Sequence, residues 1–70
     1  MENRIKVERA ILDITQEELA QRVGVSRQTI NSIEKGRYVP STLVALKLSE
    51  IFGKPVNEIF RLEKTELPGF

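Results

Sequence analysis

Apolar residues recur at three- and four-residue intervals along most of this chain, and the breaks between the runs are sharply punctuated. That period belongs to helices that bury one face. It predicts five helical segments. The first covers residues 4–12, with Asn3 as a capping residue and Ile5, Ala10 and Leu12 among its apolar positions. The second covers 16–23 and starts strongly. Thr15 and Glu18 form a capping box in which each side chain satisfies a free backbone N–H of the other, and Ile14 with Leu19 makes a hydrophobic staple. The third, 27–35, repeats the device with Ser26 as cap and Val25 with Ile30 as staple. Gly36 closes it as a left-handed terminal residue does. The fourth, 42–52, lies between the cap Ser41, preceded by Pro40, and Gly53. The fifth, 55–60, is short, and Pro55 suits a first helical turn. The tail RLEKTELPGF alternates only weakly and reads as strand or coil. Nothing else speaks for a sheet, so the fold class is all-α, with residues 1–62 as one domain and 63–70 as a C-terminal tail.

The second and third segments are separated by Gly24, Val25 and Ser26 alone. Helices so short are marginal by themselves in water, so packing must supply their stability. The tight turn forces the pair to cross steeply, which is the helix-turn-helix unit. Gly24 permits the turn, Val25 enters the wedge between the helices, and Ala20 is small enough to let them approach. At about 100° per residue, Ile30 and Ile33 define the buried side of the third segment. Opposite them stand Gln28, Ser32 and Lys35, with Asn31 at the flank and Arg27 projecting from the N-terminal end. This face holds amides, a hydroxyl and cations, and no acid. Such groups match base edges in a major groove, where Arg pairs with guanine and Gln or Asn with adenine. Glu34 lies on the core side instead, where a carboxylate needs a partner. Arg9 of the first segment is the candidate, in an ion pair that ties the first helix to the third.

Composition narrows the picture further. At 70 residues this is one small domain, without room for a cleft between two lobes and with no evident pocket for a small-molecule ligand. The chain has no Cys and no His. It therefore lacks disulfides, thiolate metal sites and the commonest acid–base group, and no cofactor or enzymatic activity is expected. No apolar run approaches the roughly 20 residues that span a bilayer, and the charged start MENRIKVERA lacks the apolar core of a secretory signal. A cytoplasmic location without membrane attachment is expected. The net charge of +1 hides an uneven distribution: −2 over residues 1–18, +4 over 19–49 and −1 over 50–70. The positive charge surrounds the interrupted helix, where a polyanion would sense it.

The segment TQEELAQRVGVSRQTINSIEKGRYVPS, followed by ALKLSEIFGKPVNEIF, resembles the Cro/phage-repressor type of helix-turn-helix, also called the xenobiotic-response-element family. The glycine turn, the serine cap, the I-x-x-I-E-x-G ending and the P-S helix start carry the resemblance, which covers residues 5 to about 60. It implies a five-helix domain that docks its third helix in the major groove of double-stranded DNA. By position, Arg27 and Gln28 correspond to principal base readers and Ser32 to a further one, with Asn31 nearby. Gln16 looks like a phosphate-contacting glutamine that also braces the first recognition side chain. Ser26 matches a cap that often touches phosphate, and Lys35 and Arg37 sit where the following loop meets the DNA backbone. The Arg9–Glu34 pair recurs in the family. Pro55 departs from the pattern, since relatives often place a capping serine there.

Members of this family bind as twofold dimers on pseudo-palindromes, with half-sites about 34–36 Å apart. On the fourth segment Val44, Ala45, Leu48, Ile51 and Phe52 share one face, while Leu43 and Leu46 fall on another. With Phe60, Leu62, Leu67 and Phe70 further on, the apolar groups exceed what one small core can hold. Either the tail folds back over Leu43 and Leu46, or these residues form a homodimer surface with Phe60 and Leu62. Two functional classes follow: a DNA-binding transcriptional regulator, or an antitoxin-like protein-interaction module of the same fold with secondary DNA binding.

Overall fold

A computed structural model describes residues 1–67. A two-residue strand, β1 (Glu2–Asn3), leads into helices α1 (Ile5–Leu12), α2 (Gln16–Val23), α3 (Arg27–Glu34), α4 (Thr42–Phe52) and α5 (Val56–Ile59). A second short strand, β2 (Phe60–Arg61), and a 3₁₀ turn at Lys64–Glu66 follow. The fold is all-α as expected, with α2 and α4 at the bounds that the spacing predicts.

Local chemistry accounts for the ends of these helices. Thr15 Oγ1 accepts from the Glu18 N–H at 3.0 Å and Glu18 Oε1 from the Thr15 N–H at 3.2 Å, completing the capping box. Ser41 accepts from the Val44 N–H at 3.2 Å. α1 ends on Asp13 at φ 55°, a left-handed residue where glycine is usual and a short polar side chain is tolerated. Pro55 stands just outside α5, with an extended ψ of 151°, so the helix begins at Val56. Phe60 is likewise extended and ends it.

Two features have no counterpart in the helical pattern. β1 pairs antiparallel with β2, Glu2 opposite Arg61 and Asn3 opposite Phe60. The Asn3 side chain, expected as a cap, accepts from the Ile5 N–H at 3.2 Å and also donates to the Ile33 carbonyl at 2.8 Å. It thereby joins the strand ladder to the end of α3. The second feature is Glu8, buried to 2% exposure on α1 while Ala10 and Leu12 face outward. A carboxylate there needs a cation, and Lys54 Nζ lies 2.8 Å from its Oε2.

The core joins Ile5 of α1 and Ile14 to Leu19, Ala20 and Val23 of α2, Ile30 and Ile33 of α3, and Leu48 and Phe52 of α4. Ile59 and Phe60 complete it. Phe60 thus leaves the expected dimer surface: it is 7% exposed, because β2 turns it inward. Leu43, Leu46 and Leu62 remain outside at 63%, 53% and 55% exposure. Among the described residues the tail does not cover Leu43 or Leu46. It turns instead toward the chain start, where the Met1 amino group lies 3.0 Å from Glu66 and 3.5 Å from Glu63. That pairing raises the pKa of the amine, chiefly through its hydrogen bond with Glu66. The Glu66 carboxyl is held below its ordinary value, first by the Glu63 backbone N–H and then by the amine. Residues 68–70, including Phe70, lie outside the described residues.

Candidate nucleic-acid interface

The turn between α2 and α3 is set by its backbone. Gly24 adopts φ 87°, and its N–H and that of Val25 both donate to the Ala20 carbonyl, at 2.8 and 3.0 Å. Val25 is half-buried against the core, and Ala20 is 3% exposed where the two helices meet. α3 then starts on Ser26, whose Oγ accepts from the Thr29 N–H at 3.1 Å and lies 2.9 Å from Thr29 Oγ1.

With Ile30 and Ile33 in the core, the opposite side of α3 faces solvent. Arg27, Gln28, Lys35 and Arg37 are exposed, and Asn31 and Ser32 are half-buried. The structure gathers Ser26, Gln28, Ser32 and Arg37 around one shallow depression of about 380 Å³, together with Thr29 and Tyr38. Arg27 borders a second depression of about 410 Å³, with Gln16, Glu17 and Thr15 of the α2 start. Lys35 caps the end of α3 through its N–H to the Asn31 carbonyl at 3.1 Å, and its side chain is free to reach outward. Tyr38 is not singled out by the sequence, because helical periodicity says nothing of the loop between Gly36 and Ser41. Its position next to Arg37 was the available signal.

Glu34 is the lone acid of α3, and it is turned away from this face. Arg9 holds it through Nε to Oε2 at 2.7 Å and Nη2 to Oε1 at 3.1 Å, the forked geometry that guanidinium offers a carboxylate. Arg9 also donates to the Ile14 carbonyl at 3.1 Å. The expected pair is therefore present, and it removes negative charge from the α3 surface.

Gln16 differs from what the resemblance implies. It does not hydrogen-bond to Arg27. Its Nε2 donates to Glu34 Oε1 at 3.3 Å, and its Oε1 accepts from Asn31 Nδ2 at 3.4 Å. Arg27 carries donors only, and the Gln16 oxygen that could accept from it is turned to Asn31 instead. Among the mid-chain cations, Lys47 is also diverted: its Nζ donates to the Val23 carbonyl at 3.1 Å, capping α2. The positive charge of the α3 face is carried by Arg27, Lys35 and Arg37.

Residues 5–59 match the helix-turn-helix protein family. An uncharacterized helix-turn-helix-type transcriptional regulator of Methanocaldococcus jannaschii is 48% identical over 66 residues, spanning 94% of this chain and all of that one. The uncharacterized regulator YgzD of Bacillus subtilis is 47% identical over 64 residues, 91% of this chain and 97% of its own. The cryptic phage CTXphi transcriptional repressor RstR of Vibrio cholerae is 33% identical over 63 residues, 90% of this chain and 54% of the repressor.

Proposed function

We propose that this chain, which belongs to the Cro/phage-repressor type of helix-turn-helix transcriptional regulators, reads duplex DNA by inserting α3 into the major groove. Arg27, Gln28, Asn31 and Ser32 contact bases, and Gln16, Ser26, Lys35 and Arg37 contact the sugar-phosphate backbone. The observation that carries this reading is the acid-free outer face of α3, with Glu34 drawn inward by Arg9 at 2.7 Å. A face of amides, hydroxyls and guanidinium presents the donors and acceptors that base edges and phosphates require.

The protein acts as a twofold dimer on a pseudo-palindromic operator. Exposed Leu43, Leu46 and Leu62 support this, as does an apolar groove of about 420 Å³ that Leu46 lines with Val39, Pro40, Ala45 and Val56 among others. One α3 alone reaches only a few base pairs, and a second copy doubles the site.

Fluorescence anisotropy tests the reading with two duplexes over a range of salt: the DNA upstream of the protein's own gene, and a scrambled version. Tight binding to the first and weak, salt-steep binding to the second is the expected result. Equal binding to both would leave only charge attraction, and the protein-interaction function would take its place.

A further inference from the structure

The hydrogen bonds behind α3 have a fixed direction. Glu34 is forked to Arg9 at 2.7 and 3.1 Å, and a carboxylate in such a pair offers acceptors only. Any amide bonded to it must present its NH₂. Gln16 does so, at 3.3 Å. A carboxamide carries its oxygen on the other branch of the fork, so Gln16 Oε1 is directed away from Glu34. It meets Asn31, 3.4 Å off, on the flank of α3. That oxygen in turn requires a donor, and Asn31 turns its own NH₂ inward. Among the described residues, Asn31 Oδ1 accepts no hydrogen bond. The acceptor-only character of one buried acid is thus relayed through two amides to a residue on the DNA-facing side.

We infer that Asn31, oriented by the Glu34–Gln16 relay, selects adenine at one position of each half-site. This rests on the major-groove reading proposed above. With one N–H committed to Gln16, Asn31 retains Oδ1 and its second N–H, an acceptor and a donor side by side. Adenine presents the complement in the major groove, its N6–H₂ donor beside its N7 acceptor. Guanine presents two acceptors, N7 and O6, and would leave Asn31 Oδ1 facing an oxygen. Thymine offers the O4 acceptor and a methyl group. Cytosine offers a single donor. Gln16 is a positioning residue in this scheme: it acts on the base through Asn31.

The test selects binding sites from a library of duplexes with a randomised central segment, using the full chain and the variants Asn31→Ala, Gln16→Leu and Arg27→Ala. Wild type should enrich sites in which one position per half-site favours adenine by about 5- to 150-fold. Asn31→Ala should erase the preference at that position alone. Gln16→Leu should flatten the same position and weaken all sites together, while leaving intact the preference that Arg27→Ala removes. If the Asn31-dependent position selects guanine, or if Gln16→Leu leaves the profile unchanged in shape, the inference is overturned. Enriched sites with no Asn31-dependent position also overturn it but spare the DNA-reading function; a library from which nothing is enriched ends both. A second measurement needs no DNA. In ¹⁵N spectra of the free protein, the Asn31 side-chain amide protons should shift and exchange faster with solvent in Gln16→Leu. Identical shifts and exchange would show that Gln16 does not hold Asn31.

Discussion

At the scale of single residues, the polar groups on the inner and outer sides of α3 do different work. Arg9 and Glu34 are largely buried, at 15% and 7% side-chain exposure, and are bonded to each other. A buried pair contributes little net stability against an apolar substitute, but losing one partner leaves the other charge unpaired. Arg9→Ala should therefore destabilise the protein by about 3–5 kcal/mol, and urea denaturation should show a markedly lower midpoint. An unchanged midpoint would mean that Glu34 finds another partner. On the outer face the consequence is read in binding instead. Arg27→Ala and Gln28→Ala should each cost about 1–3 kcal/mol on the cognate site and relax specificity there. Lys35→Ala and Arg37→Ala should weaken all sequences alike, each flattening the salt slope by about one unit because one phosphate is no longer neutralised. Anisotropy titrations at several salt concentrations separate the two behaviours; identical behaviour of all four variants would refute the division.

At the scale of elements, the decisive piece is the turn joining α2 to α3. Gly24 is at φ 87°, and a Cβ built there meets nothing closer than Lys47 Nζ at 3.8 Å, an ordinary van der Waals distance. The glycine is required by backbone conformation and not by crowding. Gly24→Ala should cost about 1–2 kcal/mol, the penalty of a left-handed residue with a side chain, and thermal unfolding should report it as a lowered midpoint. A neutral effect would mean that the turn relaxes without loss. The strand ladder works at the same scale. Asn3 ties the chain start to the carbonyl of Ile33 at 2.8 Å, and the Arg4 N–H donates to the Ile59 carbonyl at 2.8 Å. The end of α3 and the end of α5 are therefore held by one short extended segment.

At the scale of the whole molecule, apolar surface is distributed unevenly. Phe60 closes the core, while Leu43 and Leu46 stand exposed, Leu46 in the groove that Val39, Pro40 and Val56 also line. The double variant Leu43→Glu/Leu46→Glu should keep its helical circular dichroism, since both positions are more than half exposed. It should also sediment as a monomer at tens of micromolar concentration, where the parent chain should sediment as a dimer. A parent chain that is itself monomeric there would count against the twofold arrangement. No helix among the described residues is long and apolar enough to cross a membrane.

What the sequence determined by itself was whatever depends on neighbours along the chain. Caps at Thr15, Ser26 and Ser41, the left-handed Gly24 and the i, i+3, i+4 spacing act within one or two turns. α2 and α4 were therefore legible to the residue, and the face that α3 turns outward was legible with them. Arg9 and Glu34 were legible too, because an acid on a buried face demands a cation. Tertiary structure alone decided the rest. Glu8 and Lys54 lie 46 residues apart, Asn3 and Ile33 30 apart, and Asn31 and Gln16 15 apart. No periodicity links such positions; they meet only when the core brings β1, α1, α2, α3 and the α4–α5 turn together. The same closure turned Phe60 inward and gave Gln16 its two partners, because a hydrogen bond or a buried ring answers to what surrounds it in space.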